Sequence, residues 1–290
     1  MALTKQEWAA LETKANELRG LCLDTTHWAG SGHIGGGMSC LDILTILYYR
    51  HMNLSDDPNW PDRDRLILSK GHAGIAWAPV LCDKGYNDFE QLKTFNLTGS
   101  KMGMHLDANK VAGVDASTGS LGHGLPIAVG TALAARVTGK DYWTYCILGD
   151  GECDEGEVWE GAMSAAHHAT TKLITFVDRN GCMIDGPTEQ VMKLEPFADK
   201  WAAFGFHVIE VDGQNLDELD DAISFAKNAN DTGKPVAIIA KTKKGAGIKA
   251  IEGDYLWHYG AMDEAAYASG KASLAEYYQG RLARAEKEGK

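Results

Sequence analysis

The sequence predicts an α/β fold in which helices cover both faces of one parallel sheet. Five short apolar runs read as strands, and segments with helical spacing of apolar residues separate them. Strands of nearly continuous apolar sequence are typical of parallel sheets that are buried on both faces. No internal repeat and no clear linker interrupts the series, so we expect one domain.

The elements follow one another in a regular order. An amphipathic N-terminal helix is indicated by apolar residues at helical spacing, which are Trp8, Leu11, Ala15, Leu18 and Cys22. A second helix is predicted over 41–52, with Ser39 as its N-cap, after the glycine-rich SGHIGGGMS. The predicted strands are 65–69, 142–148, 172–178, 206–212 and 235–242. Further helices are predicted over 72–85, 125–137, 155–169, 196–204 and 215–229, with a loop around GPTEQ. Little after Tyr255 resembles core, and the tail is expected to be a charged surface helix interrupted by Gly270 and Gly280.

Composition excludes several classes of function. The chain has 290 residues, a formal net charge of −12 and no block of Lys and Arg, which argues against binding nucleic acid. No apolar run is long enough to span a bilayer, and the N-terminus does not resemble a signal sequence. The six cysteines form no zinc spacing and are expected to be reduced thiols, which favours the cytoplasm.

Four polar clusters follow predicted strands immediately: SKGH (69–72), GDGECDEGE (149–157), DRNG (178–181) and KTKKGAG (241–247). Ligands of open parallel sheets bind beyond the carboxyl ends of the strands, so we expect these clusters to meet. Asp150 and Asn180 then offer oxygen atoms to a hard cation such as Mg²⁺, with a main-chain carbonyl, phosphate and water completing the ligand set. Gly149 and Gly151 are expected to let the backbone turn sharply and approach a ligand. The helix that starts near Glu155 is expected to direct N–H groups towards the same place.

Other interpretations of this acidic segment fit less well. An EF-hand loop would have Glu155 at its glycine position, and the glycine spacing does not match a dinucleotide fingerprint. The simplest alternative is an acidic helix N-terminus, and we expect it to hold for Glu152, Asp154 and Glu157. For Asp150, the pairing with Asn180 favours a functional role.

The motifs resemble those of the transketolase family. GDG followed after 28 residues by Asn180 is similar to the thiamine diphosphate motif, and SGHIGGGMS, SKGHAG and TGSLGHG are similar to three further transketolase segments. The resemblance extends to about residue 265 and implies a thiamine diphosphate-binding (PP-type) domain over 1–265, followed by a charged helical tail over 266–290. It differs in detail, since Ile34 stands where the family has proline and His123 where it often has Gln.

The resemblance implies a role for each matching residue. Asp150, Asn180 and the carbonyl of Cys182 would bind Mg²⁺, with Ca²⁺ or Mn²⁺ as alternatives. The cofactor would also contact Gly149, Gly151, the loop Gly119, Ser120 and Leu121, and two histidines, His72 and His258. Glu155 matches an acidic residue at the family's subunit interface. The histidines expected to orient substrate hydroxyls and relay protons are His33, His72, His105 and His258. The remaining histidines are interpreted as structural or surface residues, and these are His27, His51, His167, His168 and His207, while the role of His123 stays open.

Transketolases carry the glutamate that activates the cofactor in a second, pyrimidine-binding domain, and this sequence ends before that part. We therefore expect the N-terminal subunit of a split transketolase, which needs a partner carrying the pyrimidine and C-terminal domains in an α2β2 assembly. It would transfer a two-carbon ketol unit from a ketose, expected to be a sugar phosphate, to an aldose. The alternatives are a deoxyxylulose-phosphate synthase-like or 2-oxo-acid decarboxylating thiamine enzyme, a non-catalytic cofactor-binding subunit, and a metal-dependent phosphohydrolase built around Asp150.

Overall fold

The computed structural model describes residues 3–228 and 230–287, and these form a five-stranded parallel sheet with helices on both faces, which confirms the predicted fold class. The strands are β1 Arg65–Leu68, β2 Thr144–Gly149, β3 Leu173–Arg179, β4 His207–Asp212 and β5 Val236–Lys241. The helices are α1 Lys5–Ala29, α2 Ile34–Ser39, α3 Leu41–Ile46, α4 Gly74–Asp83, α5 Gly124–Thr138, α6 Gly156–His167, α7 Thr188–Val191, α8 Phe197–Ala203, α9 Leu216–Asn228 and α10 Glu264–Lys287. A π-helical turn spans Leu47–His51, and 3₁₀ turns span Gly71–Ala73, Phe89–Thr94, Gly151–Asp154 and Tyr255–His258.

The strand order is β1-β2-β3-β5-β4, so β5 lies between β3 and the edge strand β4. Every neighbouring pair is parallel. Gly149 at the end of β2 is level with Asp178 in β3, and Arg179 is level with Lys241 at the end of β5. This register places the segments after β2, β3 and β5 at one edge of the sheet.

Both faces of the sheet are packed with apolar side chains, as continuous apolar strands predict. In β2, Tyr145 and Ile147 point to the core that contains α1, α3, α4 and α9, whereas Cys146 and Leu148 point to the core that contains α5, α6 and α8. All four side chains are fully buried.

Helix α3 begins at Leu41, as predicted, but its N-cap is Cys40, so the N-cap role of Ser39 is wrong. The glycine-rich segment before residue 41 is itself helical. Ser39 is the last residue of α2, and Cys40 separates α2 from α3. The glycines allow close packing: a Cβ on Gly35 would lie 2.5 Å from the carbonyl oxygen of Trp257, and one on Gly37 would lie 3.0 Å from the Ile75 side chain. Contacts with distant residues therefore fix this helix.

The C-terminal helix α10 is continuous through both of its internal glycines, so the predicted interruptions are wrong. It packs along α1, where a Cβ on Gly270 would lie 3.0 Å from the Leu23 side chain. Leu274 is buried, and Arg281 donates two hydrogen bonds of 2.6 Å to the buried carboxylate of Glu12. The helix thus has one solvated and one buried side.

The GPTEQ segment contains the short helix α7 rather than only a loop. Position 229 of the predicted 215–229 helix and positions 288–290 of the tail lie outside the described residues. Over the described parts of the chain, no helix combines the length and apolar character needed to cross a membrane.

Candidate functional site

Asp150 lies directly beyond the end of β2, and hydrogen bonds hold both of its carboxylate oxygens. Oδ1 accepts from the N–H of Gly151 at 2.8 Å. Oδ2 accepts from the N–H of Gly181 at 2.6 Å and from the Arg179 guanidinium at 3.1 Å. The side chain is almost fully buried, and burial together with the nearby Asp178 carboxylate raises its pKa. A cation at this position would stabilise the charged form.

Asn180 is held in one orientation by two neighbours at the end of β3. Its amide nitrogen donates to Asp178 Oδ2 at 3.1 Å, and its amide oxygen accepts from the N–H of Cys182 at 3.1 Å. Because Asp150 is bonded to Gly181, the residue next to Asn180, the two predicted ligands lie on either side of the same turn.

The chemistry of this oxygen set fits a hard divalent cation. Asp150 supplies a carboxylate, Asn180 an amide oxygen and Cys182 a main-chain carbonyl, which are ligand types that Mg²⁺ and Ca²⁺ accept. Among the residues the structure describes, no three His, Cys, Asp or Glu side chains converge as a metal site. An ion held here would therefore take much of its coordination from ligand and water oxygens.

The two glycines of the GDG motif act differently from the expectation. Neither Gly149 nor Gly151 has a positive φ, so the turn does not depend on left-handed backbone. Helix α6 begins at Gly156, close to the predicted start near Glu155, and the 3₁₀ turn Gly151–Asp154 lies between Asp150 and the helix. The N–H groups bonded to Asp150 belong to Gly151 in this turn and to Gly181 after β3.

Two buried lysines lie beside these ligands, and the sequence interpretation assigns neither. The Lys70 ammonium contacts Asp178 Oδ2 at 2.5 Å and the carbonyl of Gly36 at 2.7 Å. Burial alone would lower the pKa of Lys70, but Asp178 more than compensates and raises it. The Lys244 ammonium lies 3.5 Å from the carbonyl oxygen of Cys182, and burial lowers its pKa. Both lysines occur in clusters that follow strands, which is the signal available in the sequence.

The four histidines predicted to act on substrate lie together at this edge of the sheet. The ring centre of His33 is 5.0 Å from that of His72, 5.1 Å from that of His258 and 6.5 Å from that of His105. Tyr259 packs edge-on against His33 at 4.9 Å. His33 Nδ1 is buried and has no hydrogen-bond partner among the described residues. This ring nitrogen is thus available for a hydrogen bond to a ligand.

Burial lowers the pKa of all four histidines, which favours the neutral imidazole, and neighbouring groups lower the pKa of His33, His72 and His258 further. Burial, followed by His105 and Lys244, lowers the pKa of His33 to about 4. Burial and the Lys244 ammonium, 3.0 Å from Nδ1, lower the pKa of His258 to about 3. Burial also lowers the pKa of His72 well below its usual range and lowers that of His105. Neutral imidazoles can both donate and accept hydrogen bonds.

The Gly119–Leu121 loop lies next to the cluster. A Cβ on Gly119 would lie 3.0 Å from the His105 ring, so glycine permits this contact. The loop is fixed at one end by Thr118, which donates to the carbonyl of Leu68 at 2.6 Å. At the other end, the N–H of Gly122 donates to Glu152 at 2.9 Å.

Glu152 corrects one expectation from the sequence. The expected role is that of a solvated acid near a helix N-terminus, yet its side chain is buried and accepts three hydrogen bonds. Glu155, in contrast, is exposed immediately before α6, and a Cβ on Gly122 would lie 2.9 Å from its Cβ. His123 forms an exposed ion pair with Glu157 at 2.9 Å.

The histidines interpreted as structural stay outside the cluster. His27 stacks on Tyr267, His51 contacts Asp220, and His207 stacks on Phe225. The adjacent pair His167 and His168 lies at the end of α6. A cavity of about 530 Å³ between α1, α10 and the segment 243–252 is lined by none of the predicted site residues.

Comparison with known proteins identifies the family. The family model "Transketolase, thiamine diphosphate binding domain" matches residues 11–277. This chain belongs to the transketolase family. A 6-deoxy-6-sulfo-D-fructose transketolase subunit from Clostridium sp. is 43% identical over 267 residues, which cover 92% of this chain and 95% of that protein. An apulose-4-phosphate transketolase subunit from Phocaeicola vulgatus is 38% identical, over 96% of this chain and 97% of that protein.

Solved transketolase structures have the same fold but are longer. The Campylobacter jejuni enzyme aligns with a TM-score of 0.85 and 33% identity, covering 91% of this chain and 42% of that chain. The Leishmania mexicana enzyme aligns with a TM-score of 0.84 and 32% identity, covering 96% of this chain and 45% of that chain. This chain thus spans less than half of the solved transketolases and nearly the whole of the relatives named as subunits. The predicted family and the interpretation as an N-terminal transketolase subunit are confirmed.

Proposed function

We propose that this chain is the cofactor-binding subunit of a heteromeric transketolase that transfers a two-carbon ketol unit from a ketose to an aldose. The observation that carries the proposal is the meeting of Asp150 and Asn180 at adjacent strand ends, beside two buried lysines and four neutral histidines. Thiamine diphosphate, when bound, supplies the nucleophilic carbon for attack on a ketose carbonyl.

The metal and the diphosphate would be held by different groups of the chain. Asp150, Asn180 and the carbonyl of Cys182 would bind Mg²⁺, and the main chain at Gly149 and Gly151 would lie against the diphosphate. Lys244, whose pKa burial lowers, would offer a positive charge to the phosphate oxygens. Cation and anion each reduce the desolvation penalty of the other, so we expect them to bind together.

The histidines would orient the substrate and carry protons. His33 and His105 would face the hydroxyls and carbonyl of the ketose, while His72 and His258 would lie between cofactor and substrate. Because all four have lowered pKa values, each can accept a proton from a hydroxyl or donate a hydrogen bond without carrying a permanent charge. The Gly119, Ser120 and Leu121 loop would contact the thiamine rings, and Glu155 would face a neighbouring subunit.

We propose that the partner carries the pyrimidine domain with the activating glutamate, in an α2β2 assembly. The relatives act, by their names, on 6-deoxy-6-sulfo-D-fructose and on apulose 4-phosphate. We therefore propose a ketose with an anionic group at its far end, phosphate being the first candidate and sulfonate the second. All six cysteines are free thiols, which favours a cytoplasmic location.

Calorimetric titration of the full chain with thiamine diphosphate tests the cofactor site. We expect binding that requires Mg²⁺ and is abolished by Asp150→Ala, while the exposed neighbour Asp154 serves as a matched control through Asp154→Ala. Equal binding by the Asp150 variant, or binding independent of a divalent cation, would remove the basis of the proposal. An assay of ketol transfer from phosphorylated and sulfonated ketoses, run after mixing with the partner subunit, then tests the reaction.

A further inference from the structure

Glu152 is a buried carboxylate that receives hydrogen bonds from three separate segments. Its Oε1 accepts from the Ser69 hydroxyl at 2.5 Å and from the N–H of Gly122 at 2.9 Å. Its Oε2 accepts from the N–H of Gly149 at 2.9 Å. The side chain is 3% exposed. A buried carboxylate is stable only when donors occupy its oxygens, and here they come from the end of β1, the end of β2 and the loop before α5.

The three donors belong to the structural elements that form the candidate site. Gly149 precedes Asp150, and Gly122 follows the Gly119–Leu121 loop. A Cβ on Gly124 would overlap the Ser69 side chain, so the loop passes directly over the end of β1. Glu152 therefore joins two loops through side-chain hydrogen bonds: Gly149–Gly151, called the metal loop because it contains Asp150, and Gly119–Leu121, called the thiamine loop because it is proposed to contact the thiamine rings.

Both oxygens of Glu152 accept hydrogen bonds, so this carboxylate links three separate segments of the chain. The cation that stabilises its charge is Lys70, which is itself bonded to Asp178. Burial outweighs this help and raises the pKa of Glu152. The hydrogen bonds of Glu152 therefore hold these segments in place.

We infer that Glu152 is a positioning residue, which fixes the loop Gly119–Leu121 relative to Asp150 so that one cofactor can contact both. The inference rests on the proposed function, because it takes thiamine diphosphate as the ligand that spans the two loops. A ligand that contacts the metal loop alone, such as inorganic pyrophosphate with Mg²⁺, depends much less on Glu152. A comparison of the affinities for thiamine diphosphate and for pyrophosphate therefore distinguishes a positioning role of Glu152 from a general loss of stability.

The experiment compares wild type, Glu152→Gln and Glu152→Ala in the full chain. Glutamine keeps one acceptor, so at least one of the Gly122 and Gly149 N–H groups then faces an amide NH₂. The matched control is Glu157→Gln, because the partly exposed Glu157 forms an ion pair with the exposed side chain of His123. The measurements are hydrogen exchange of the 118–124 and 147–153 segments, and calorimetric affinities for thiamine diphosphate and for pyrophosphate, both with Mg²⁺.

We expect exchange in at least one of these segments to accelerate about tenfold or more in Glu152→Gln, because an N–H bonded to a charged acceptor loses its partner. Thiamine diphosphate should bind about tenfold more weakly, since the loop must then be ordered at binding, and pyrophosphate should change less than about twofold. The control should resemble wild type in every measurement.

Unchanged exchange in both segments of Glu152→Gln, or an equal loss of affinity for both ligands, would overturn the inference. If Glu152→Ala does not fold, the glutamine variant still decides. If wild type fails to bind thiamine diphosphate, the proposed function fails, while the exchange data still report whether Glu152 joins the two loops.

Discussion

Replacing Asp178 by asparagine removes the counter-ion of a lysine that has no access to water. Lys70 is 1% exposed and Asp178 is 0% exposed, and their charged atoms lie 2.5 Å apart. Asparagine preserves the shape and can still accept from Ser39 or Thr242, which both donate to Asp178. The ammonium, however, stays buried without the carboxylate that contacts it. Breaking a buried ion pair from one side costs about 3–5 kcal/mol, and we expect Asp178→Asn to lose that much stability.

Urea denaturation of the full chain, followed by circular dichroism, measures this loss. The matched control is Asp141→Asn, which removes the surface partner of Lys172, where Asp141 is 99% exposed. Exposed pairs contribute about 0–1 kcal/mol, so the control should barely move the unfolding midpoint. A loss below about 1 kcal/mol for Asp178→Asn would refute the reasoning, because it would mean that Lys70 is neutral or solvated without its partner.

The same pair gives a pH dependence with a definite sign. Burial alone would raise the pKa of Asp178, but Lys70 and the side chains that donate to it lower the pKa below its usual value. The stabilisation is therefore fully present above the unfolded pKa of about 3.9 and is lost as the pH falls through the lower folded pKa. The difference in stability between wild type and Asp178→Asn should shrink over that acidic range.

Three further predictions follow from burial. The His33 imidazole should titrate with a pKa of about 4 when followed by NMR. The free energy of unfolding should fall between about pH 7 and pH 4, because only the unfolded state takes up this proton in that range. An NMR inflection above pH 6 would contradict this prediction. Iodoacetamide should modify Cys182 first, since it is partly exposed and the other five cysteines are buried. Burial raises the pKa of Cys182, so the rate of modification should increase with pH. Mass spectrometry that shows another cysteine modified first would contradict this prediction. Arg281→Met should lower the free energy of unfolding by about 3–5 kcal/mol, because Glu12 stays buried without its partner. An unchanged urea midpoint would contradict this, and would mean that the packing of α10 on α1 does not contribute to the stability of the domain.

The strands could be predicted because a parallel sheet buried on both faces leaves a simple pattern. Each predicted apolar run contains the observed strand within one or two residues. Helix α2 could not be predicted, because IGGGMS has poor helix propensity and is held by contacts with the Trp257 carbonyl and Ile75. The continuity of helix α10 could not be predicted either, because it also depends on a distant contact. Gly270 permits close packing of α10 on α1 and does not end the helix.

The candidate site is predictable where chemistry follows a strand end. Asp150 and Asn180 lie together because the register of β2 and β3 brings their ends level. The sequence does not predict the roles of Glu152, Lys70 and Lys244. A charged side chain in a loop is most often solvated, and sequence alone does not show burial. The useful signal is their place in clusters that also contain glycine, which allows neighbouring backbones to enclose a charged side chain.

The two buried lysines differ in a way that bears on how the site works. Lys70 has its charge balanced by Asp178, and its pKa is raised. Lys244 forms no salt bridge with any part of the chain that the structure describes; its ammonium contacts His258 Nδ1 and the Cys182 carbonyl, and its pKa is lowered. The protein thus neutralises the charge of Lys70 with its own Asp178, whereas the charge of Lys244 is available to a ligand. Because Lys244 lies beside the proposed metal ligand Cys182, its charge opposes the attraction between Asp150 and Mg²⁺, and an anion bound to both Lys244 and the ion would offset that repulsion. This arrangement predicts that metal and diphosphate bind cooperatively.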